Sequence, residues 1–175
     1  MNLVITDDIT ALVRAACMSE TRTTPADGSH VTLAGSIWCP TTRVTLGVID
    51  AAARQAFTQG QCHALALALA EATGWTVCWT GSSECCYDED CCNYPESWGW
   101  CPCQIGHLLV ESEPGIYVDI EGCHRAADIA AGEEIVVPIT AEQLAWVLSD
   151  PCWRPPDIHV ARGFVATVLA QLHSS

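Results

Sequence analysis

Basic side chains are scarce in this sequence: seven Lys and Arg stand against 21 Asp and Glu, a net charge of −14. No nucleic-acid partner is expected on that ground, because phosphate binding needs a basic footprint. Long apolar runs are missing too. None approaches the length that spans a bilayer, so no membrane partner is expected. The N-terminus, MNLVITDDITALVRAACMSE, has no basic segment ahead of an apolar stretch, which is not the pattern of a secretory signal. The expected location is therefore cytoplasmic, or the host cytoplasm if the chain is phage-encoded. Charged residues make up only 16% of the chain and apolar ones half of it, which excludes global disorder. The scattered acids read as a solubilising surface, and the sharper alternative is mimicry of nucleic acid toward a basic partner.

With 175 residues the chain is long enough for one core, and a single domain over 1–175 is expected. Thr6 with Asp7 and Asp8 marks a helix start, followed by Ile9, Leu12, Val13 and Ala16 at helical spacing. Residues 21–30 read as a loop. Segments 31–37 and 43–49 are rich in Val, Ile and Thr and predict strands separated by a Cys39-Pro40 turn. A helix is expected from Asp50, interrupted at Gly60, and a second from Gln61 to Thr73 with Gly74 just past its end. Its CHALALALA run alternates Ala and Leu without a β-branched residue, so it reads as a helix apolar nearly all round. GHLLVES and IYVDIEG, separated by Glu113-Pro114-Gly115, predict a β-hairpin. A strand over Glu134–Ile139, a Thr140/Gln143 capping box and a last helix over 158–172 complete the pattern.

A cysteine nucleophile needs thiolate character, a base and a group that orients the base. Cys62 stands at the start of the buried helix, where the helix dipole favours a thiolate. His63 is not the obvious base, since adjacent helical residues point about 100° apart. His107 and Asp119 lie on the two hairpin strands. If Leu108 with Val110 and Val118 with Ile120 enter one core, alternation puts His107 and Asp119 together on the opposite face. A three-residue loop over 113–115 pairs residue 109 with 119 and sets His107 one diagonal step from Asp119. Each residue alone has a plainer use: a buried Cys as core, a strand His as a hydrogen-bonded side chain, a hairpin Asp as a solvated one.

FTQGQCHALALALAEATGW and GHLLVESEPGIYVDIEG resemble a group of actinobacterial and phage proteins that look like papain-like or transglutaminase-like cysteine enzymes. The resemblance covers roughly residues 55–125. It implies an α+β fold in which a central helix bearing the cysteine packs on an antiparallel sheet. It also implies Cys62 as nucleophile, His107 as general base and acid, and Asp119 as the orienting carboxylate. The papain-like pattern carries an oxyanion-hole Gln upstream of the cysteine; Gln59 and Gln61 are the candidates here, both nearer the cysteine than in that pattern. The implied activity is that of a peptidase, deamidase or transamidase acting on a protein or peptide, with no cofactor required for catalysis. The alternative is a non-catalytic acidic protein that binds and blocks a partner, a host protein if the chain is phage-encoded.

Residues 78–103 read as a Cys-rich insert, with seven cysteines and three tryptophans. From Cys85 the spacing is CC-x4-CC-x8-C-x-C. One member each of Cys85/Cys86 and Cys91/Cys92, with Cys101 and Cys103, would make a four-sulfur structural zinc site. Disulfides or an insert without fixed structure fit the same spacing. Asp88, Glu89 and Asp90 do not have EF-hand spacing, so calcium is rejected. Cys17 and Cys78 read as core, Cys39 and Cys152 as turn residues, and Cys123 with His124, directly after the hairpin, as weaker candidates to line the same site.

Overall fold

The computed structural model describes residues 26, 28–35, 41–86, 96–132, 134–150 and 153–173. The expected helix over residues 6–16, the Cys39-Pro40 turn, and Cys17, Cys39, Cys91, Cys92 and Cys152 lie outside the described residues.

The fold is α+β, with helices packed on an antiparallel sheet. Strands β1 (His30–Ala34) and β2 (Thr41–Thr45) pair as a separate two-stranded sheet. Both are shorter than the sequence suggests. The second ends just before Gly47, whose positive φ of 74° turns the chain. Helix α1 (Ala51–Thr58) follows, capped by the Asp50 carboxylate on the Ala53 amide at 2.9 Å.

Helix α2 (Cys62–Thr73) ends at Gly74 in the left-handed region, as the sequence predicts. Every residue from Cys62 to Ala70 is buried. That is what an Ala/Leu helix with no polar face requires. It packs on the strand Ile105–Glu113 and on the last helix, α5 (Ile158–Leu172), which begins and ends where the sequence places it. Phe57 of α1 meets Phe164 of α5 edge to face at 5.0 Å. A paired contact from Arg162 to Glu71, at 2.8 and 2.7 Å, ties α5 to the end of α2.

The five-stranded sheet has the order β6-β5-β4-β3-β7, built from β3 (Thr76–Ser82), β4 (Ile105–Glu113), β5 (Ile116–Asp119), β6 (Gly122–Arg125) and β7 (Glu134–Pro138). Residues 78–82, at the front of the stretch read as an insert, belong to β3, which lies between β4 and β7. Leu108, Val110, Val118 and Ile120 enter the main core, as parity requires. Cys78, Leu109 and Tyr117 form a smaller cluster with Ile129 and Val136. Helix α3 (Ala126–Ala131), six residues with none buried, joins the two edge strands β6 and β7. Helix α4 (Ala141–Ser149) opens with the Thr140/Gln143 capping box read from the sequence. Among the described residues, no helix is long and apolar enough to cross a membrane.

The hairpin turn corrects one detail. Glu113 still belongs to β4, and Pro114-Gly115 forms a two-residue turn in which Gly115 has φ 77°, the pairing that Pro followed by Gly favours. A register shift between Glu111 and Glu113 absorbs the difference, so Val110 faces Val118 in the register expected from a three-residue loop.

A second irregularity lies between Thr80 and Gly81, just ahead of His107 on the paired strand. A Cβ on Gly81 would stand 1.9 Å from the Gln104 carbonyl oxygen and 2.6 Å from the Gly106 amide. Gly81→Ala is therefore expected to push β4 away from β3 and cost at least about 2 kcal/mol in urea unfolding, as overpacking does. A change within about 0.5 kcal/mol, the range of neutral surface substitutions, would refute this close approach.

Candidate active site

Three residues far apart in sequence, Cys62, His107 and Asp119, meet in one place. Cys62 is the first residue of α2, held there because the helix behind it is buried. His107 lies two residues into β4, past the irregularity opposite Thr80 and Gly81. Bulges of this kind increase the local twist and re-aim side chains. Asp119 closes β5. His107 Nε2 is 2.8 Å from Asp119 Oδ2 across the β4–β5 pair, and the His107 ring lies close enough to Cys62 for each to shift the other's proton affinity. Nε2 donates to an ionised carboxylate, so it carries the proton and leaves Nδ1 for the sulfur.

Asp119 is satisfied on both oxygens. Oδ1 accepts from the Glu121 amide at 2.8 Å and from His124 Nε2 at 2.8 Å. His124 lies on β6 opposite Tyr117, so the short β5–β6 hairpin brings it back to the carboxylate. The sequence marks His124 as a weaker candidate to line the site, from its place directly after the hairpin. Finding its bond requires the β5–β6 register.

The electrostatics favour separated charges. Burial pushes the Cys62 thiol up, but His107 and, after it, His63 more than reverse this and lower it to about 5. Burial pushes His107 down, and Asp119 and the Cys62 thiolate overcome this to raise it to about 10. Asp119 would rise on burial, yet the bonds from His107 and His124 hold it well below the usual carboxylate range. His124 is raised, chiefly by Asp119, with burial opposing. Between about pH 5 and about pH 10 the pair is thus thiolate and imidazolium. Cys78 shows the contrast: burial and then Glu111 push its thiol up to about 12. It is a core residue, as its sequence context suggests.

His63 is buried beside Cys62 in a different setting. Its Nε2 donates to the Arg154 carbonyl at 2.8 Å, and its ring meets Trp153 edge to face at 5.5 Å. Its Nδ1 has no hydrogen-bond partner among the described residues. It helps to lower the Cys62 thiol, behind His107, and of the two histidines only His107 has a carboxylate partner.

The two candidate oxyanion glutamines are placed unequally. Gln59 is exposed just past α1. Gln61 is fully buried: its Nε2 donates to the Ala34 carbonyl at 3.0 Å and to the Pro155 carbonyl at 3.3 Å, and its Oε1 accepts from the Asp157 amide at 2.9 Å. Its side chain joins two remote stretches of backbone, at Ala34 and at 155–157, and has no donor left for a substrate. The first amides of a helix have no intrahelical acceptor, so the N-terminus of α2 is the remaining source of oxyanion donors near Cys62.

Cys62 is 6% exposed. A cleft of about 580 Å³ opens near the carboxylate end of the triad, lined among others by Arg54, Glu121, Cys123 and Thr167. None of the three triad residues lines it. Of the Cys-rich stretch, the sulfurs of Cys85, Cys86 and Cys103 lie within 4.8 Å of one another. Cys101 is also near Cys103, whereas Cys91 and Cys92 lie outside the described residues. Comparisons with family models, with curated proteins and with solved structures find no match to this chain.

Two stability outcomes follow from these bonds. Gln61→Ala leaves buried backbone groups without partners and should cost about 2–3 kcal/mol in chemical denaturation, while Cys62 alkylation at neutral pH stays within about threefold of the wild type. A loss of alkylation without a loss of stability would assign Gln61 to the chemistry instead. Asp119 is depressed, so its contribution is present above the ordinary carboxylate range and lost as pH falls. His107 is raised, so its contribution is complete below the ordinary imidazole range and lost as pH rises through about 10. The stability gap between wild type and Asp119→Asn should therefore be widest between the ordinary carboxylate and imidazole ranges, on the acid side of neutrality, and narrow toward both limits. A gap independent of pH in urea titrations would contradict the charged network.

Proposed function

We propose that this chain is a cysteine-nucleophile acyl-transfer enzyme of papain-like or transglutaminase-like architecture, acting on a carboxamide of a protein or peptide. The observation that carries this reading is the line from the Cys62 thiol through His107 to Asp119, starting at a helix N-terminus.

The chemistry begins from the thiolate–imidazolium pair. Cys62 Sγ attacks the carboxamide carbon, and the carbonyl π electrons move onto oxygen, where α2 amides stabilise the charge. Collapse of this adduct breaks the C–N bond, and the His107 imidazolium gives its proton to the leaving amine or ammonia. A thioester on Cys62 remains. Water or an incoming amine then attacks it, His107 accepts the proton of that nucleophile, and the thiolate leaves. Asp119 keeps the ring oriented and supports its positive charge without taking the proton. Water as acceptor gives a peptidase or deamidase, and an amine gives a transamidase.

A second reading is favoured by one observation, the burial of Cys62 away from the neighbouring cleft. In this reading the acidic protein binds and blocks a partner, and the triad is a structural remnant.

The deciding experiment is iodoacetamide labelling of the native protein from about pH 4 to about pH 9, read site by site by mass spectrometry. Cys62 should alkylate fastest below neutrality, with a rate that rises through about pH 5 as the thiolate forms. His107→Ala should slow it at least about tenfold near pH 6, because the imidazolium that stabilises the thiolate is gone. An inert Cys62, or one indifferent to His107→Ala, would sink the enzyme reading and favour the binding protein, for which Cys62→Ser should leave partner binding intact.

A further inference from the structure

We propose that Cys85, Cys86, Cys101 and Cys103 form a tetrahedral thiolate site for a zinc-type divalent metal, closing the loop between β3 and β4 at its base. The inference stands apart from the triad and does not depend on catalysis.

The placement of the sulfurs is the first argument. Tetrahedral zinc with Zn–S bonds of about 2.3 Å holds its sulfurs about 3.8 Å apart. Cys103 Sγ lies 3.6 Å from Cys85 Sγ, and the sulfurs of Cys85, Cys86 and Cys103 lie within 4.8 Å of one another. Cys101 Sγ lies 3.1 Å from Cys103 Sγ. Cys101 stands outside the group of three that lie within 4.8 Å of one another, so it becomes the fourth ligand by a side-chain rotation toward Cys85 and Cys86. The Cys86 amide N–H also points at Cys103 Sγ, at 3.5 Å, the kind of outer contact that steadies a metal thiolate.

The second argument is the scaffold. Cys101 caps the turn Pro102–Gln104 and Cys103 is its middle residue, and the turn is locked by a buried amide. Gln104 Oε1 accepts from the Cys101 amide at 2.6 Å, and Gln104 Nε2 donates to the Ser82 carbonyl at 3.1 Å. Cys85 and Cys86 follow the end of β3 by a few residues, on the far side of that bond. A buried side chain bonded at both ends thus brings the two cysteine pairs together before any metal arrives, which lowers the entropy cost of binding. Thiolate sulfur selects soft or borderline metals over magnesium or calcium. Binding is not a redox event: each thiol loses a proton to solvent and its sulfur forms a bond to the metal.

The site also has a mechanical effect. Cys103 precedes β4 by two residues, and β4 carries His107. A metal here closes the loop at its root and fixes the strand that presents the imidazole.

The test is cobalt(II) titration of the reduced full chain carrying Cys62→Ser, so that the triad thiol cannot supply a ligand. One equivalent of cobalt should give the intense visible bands of a tetrahedral thiolate complex and a sulfur-to-metal charge-transfer band, both erased by one equivalent of zinc. Cys103→Ser should abolish them, whereas Cys123→Ser should leave them unchanged. If Cys103→Ser fails to fold by circular dichroism, Cys86→Ser, at an exposed position, should lose the bands in its place. Absence of a thiolate band in the folded, reduced protein overturns the proposal, as does a band that survives Cys86→Ser at full intensity. An unreduced chain lighter by two hydrogens per bridge, mapped to these cysteines and unable to bind cobalt after reduction, also overturns it.

Discussion

The arrangement depends on burying α2 on all sides. Nine consecutive residues, Cys62 to Ala70, are removed from water, and each buried leucine contributes roughly 1.5–3 kcal/mol relative to exposure. A helix with no polar face has no reason to rotate toward solvent, so its first residue is fixed relative to β4 and α5. Gln61 then fastens that end to Ala34, Pro155 and Asp157. The thiol is positioned by the whole core instead of by a loop, which is how a nucleophile is held within the small tolerance that acyl transfer allows.

A buried carboxylate is the complementary constraint. Asp119 is nearly out of solvent, and an unpaired charge there would be strongly destabilising. Three donors meet it: His107 on one oxygen, the Glu121 amide and His124 on the other. His124 therefore shares the work of keeping Asp119 ionised, and Asp119 in turn holds His107 charged. The charges of the triad come from their partners; burial alone would drive all three toward neutrality.

Much of this was legible in the sequence because it obeys short-range rules. The Ala/Leu run with Gly74 behind it defines α2, and period-two alternation puts His107 and Asp119 together. Even a misjudged turn left the register intact, because the shift at Glu111–Glu113 compensates. What escaped notice depends on distant partners. Strand β3 is buried on both faces, so its TVCWTGS run shows no alternation and its Cys and Trp blend into the Cys-rich stretch. The edge strand β6 and helix α3 are too short and too exposed to leave a pattern. Gln61 looks like a substrate-facing amide beside a cysteine, and only the approach of chain segments 27 to 96 residues away shows its use.

Helix α3 carries a last consequence. It is six residues long, contributes no buried side chain, and connects the two outermost strands of the sheet. The small cluster of Cys78, Leu109 and Tyr117 is thus separate from the large core that α2 fills. Cys78, Leu109 and Tyr117 stand on strands whose other face belongs to the large core, so what can lift away from the smaller cluster is α3, held there by the partly buried Ile129. Variation and insertion are therefore tolerated best along α3, where the chain crosses from one edge strand to the other, and worst along α2.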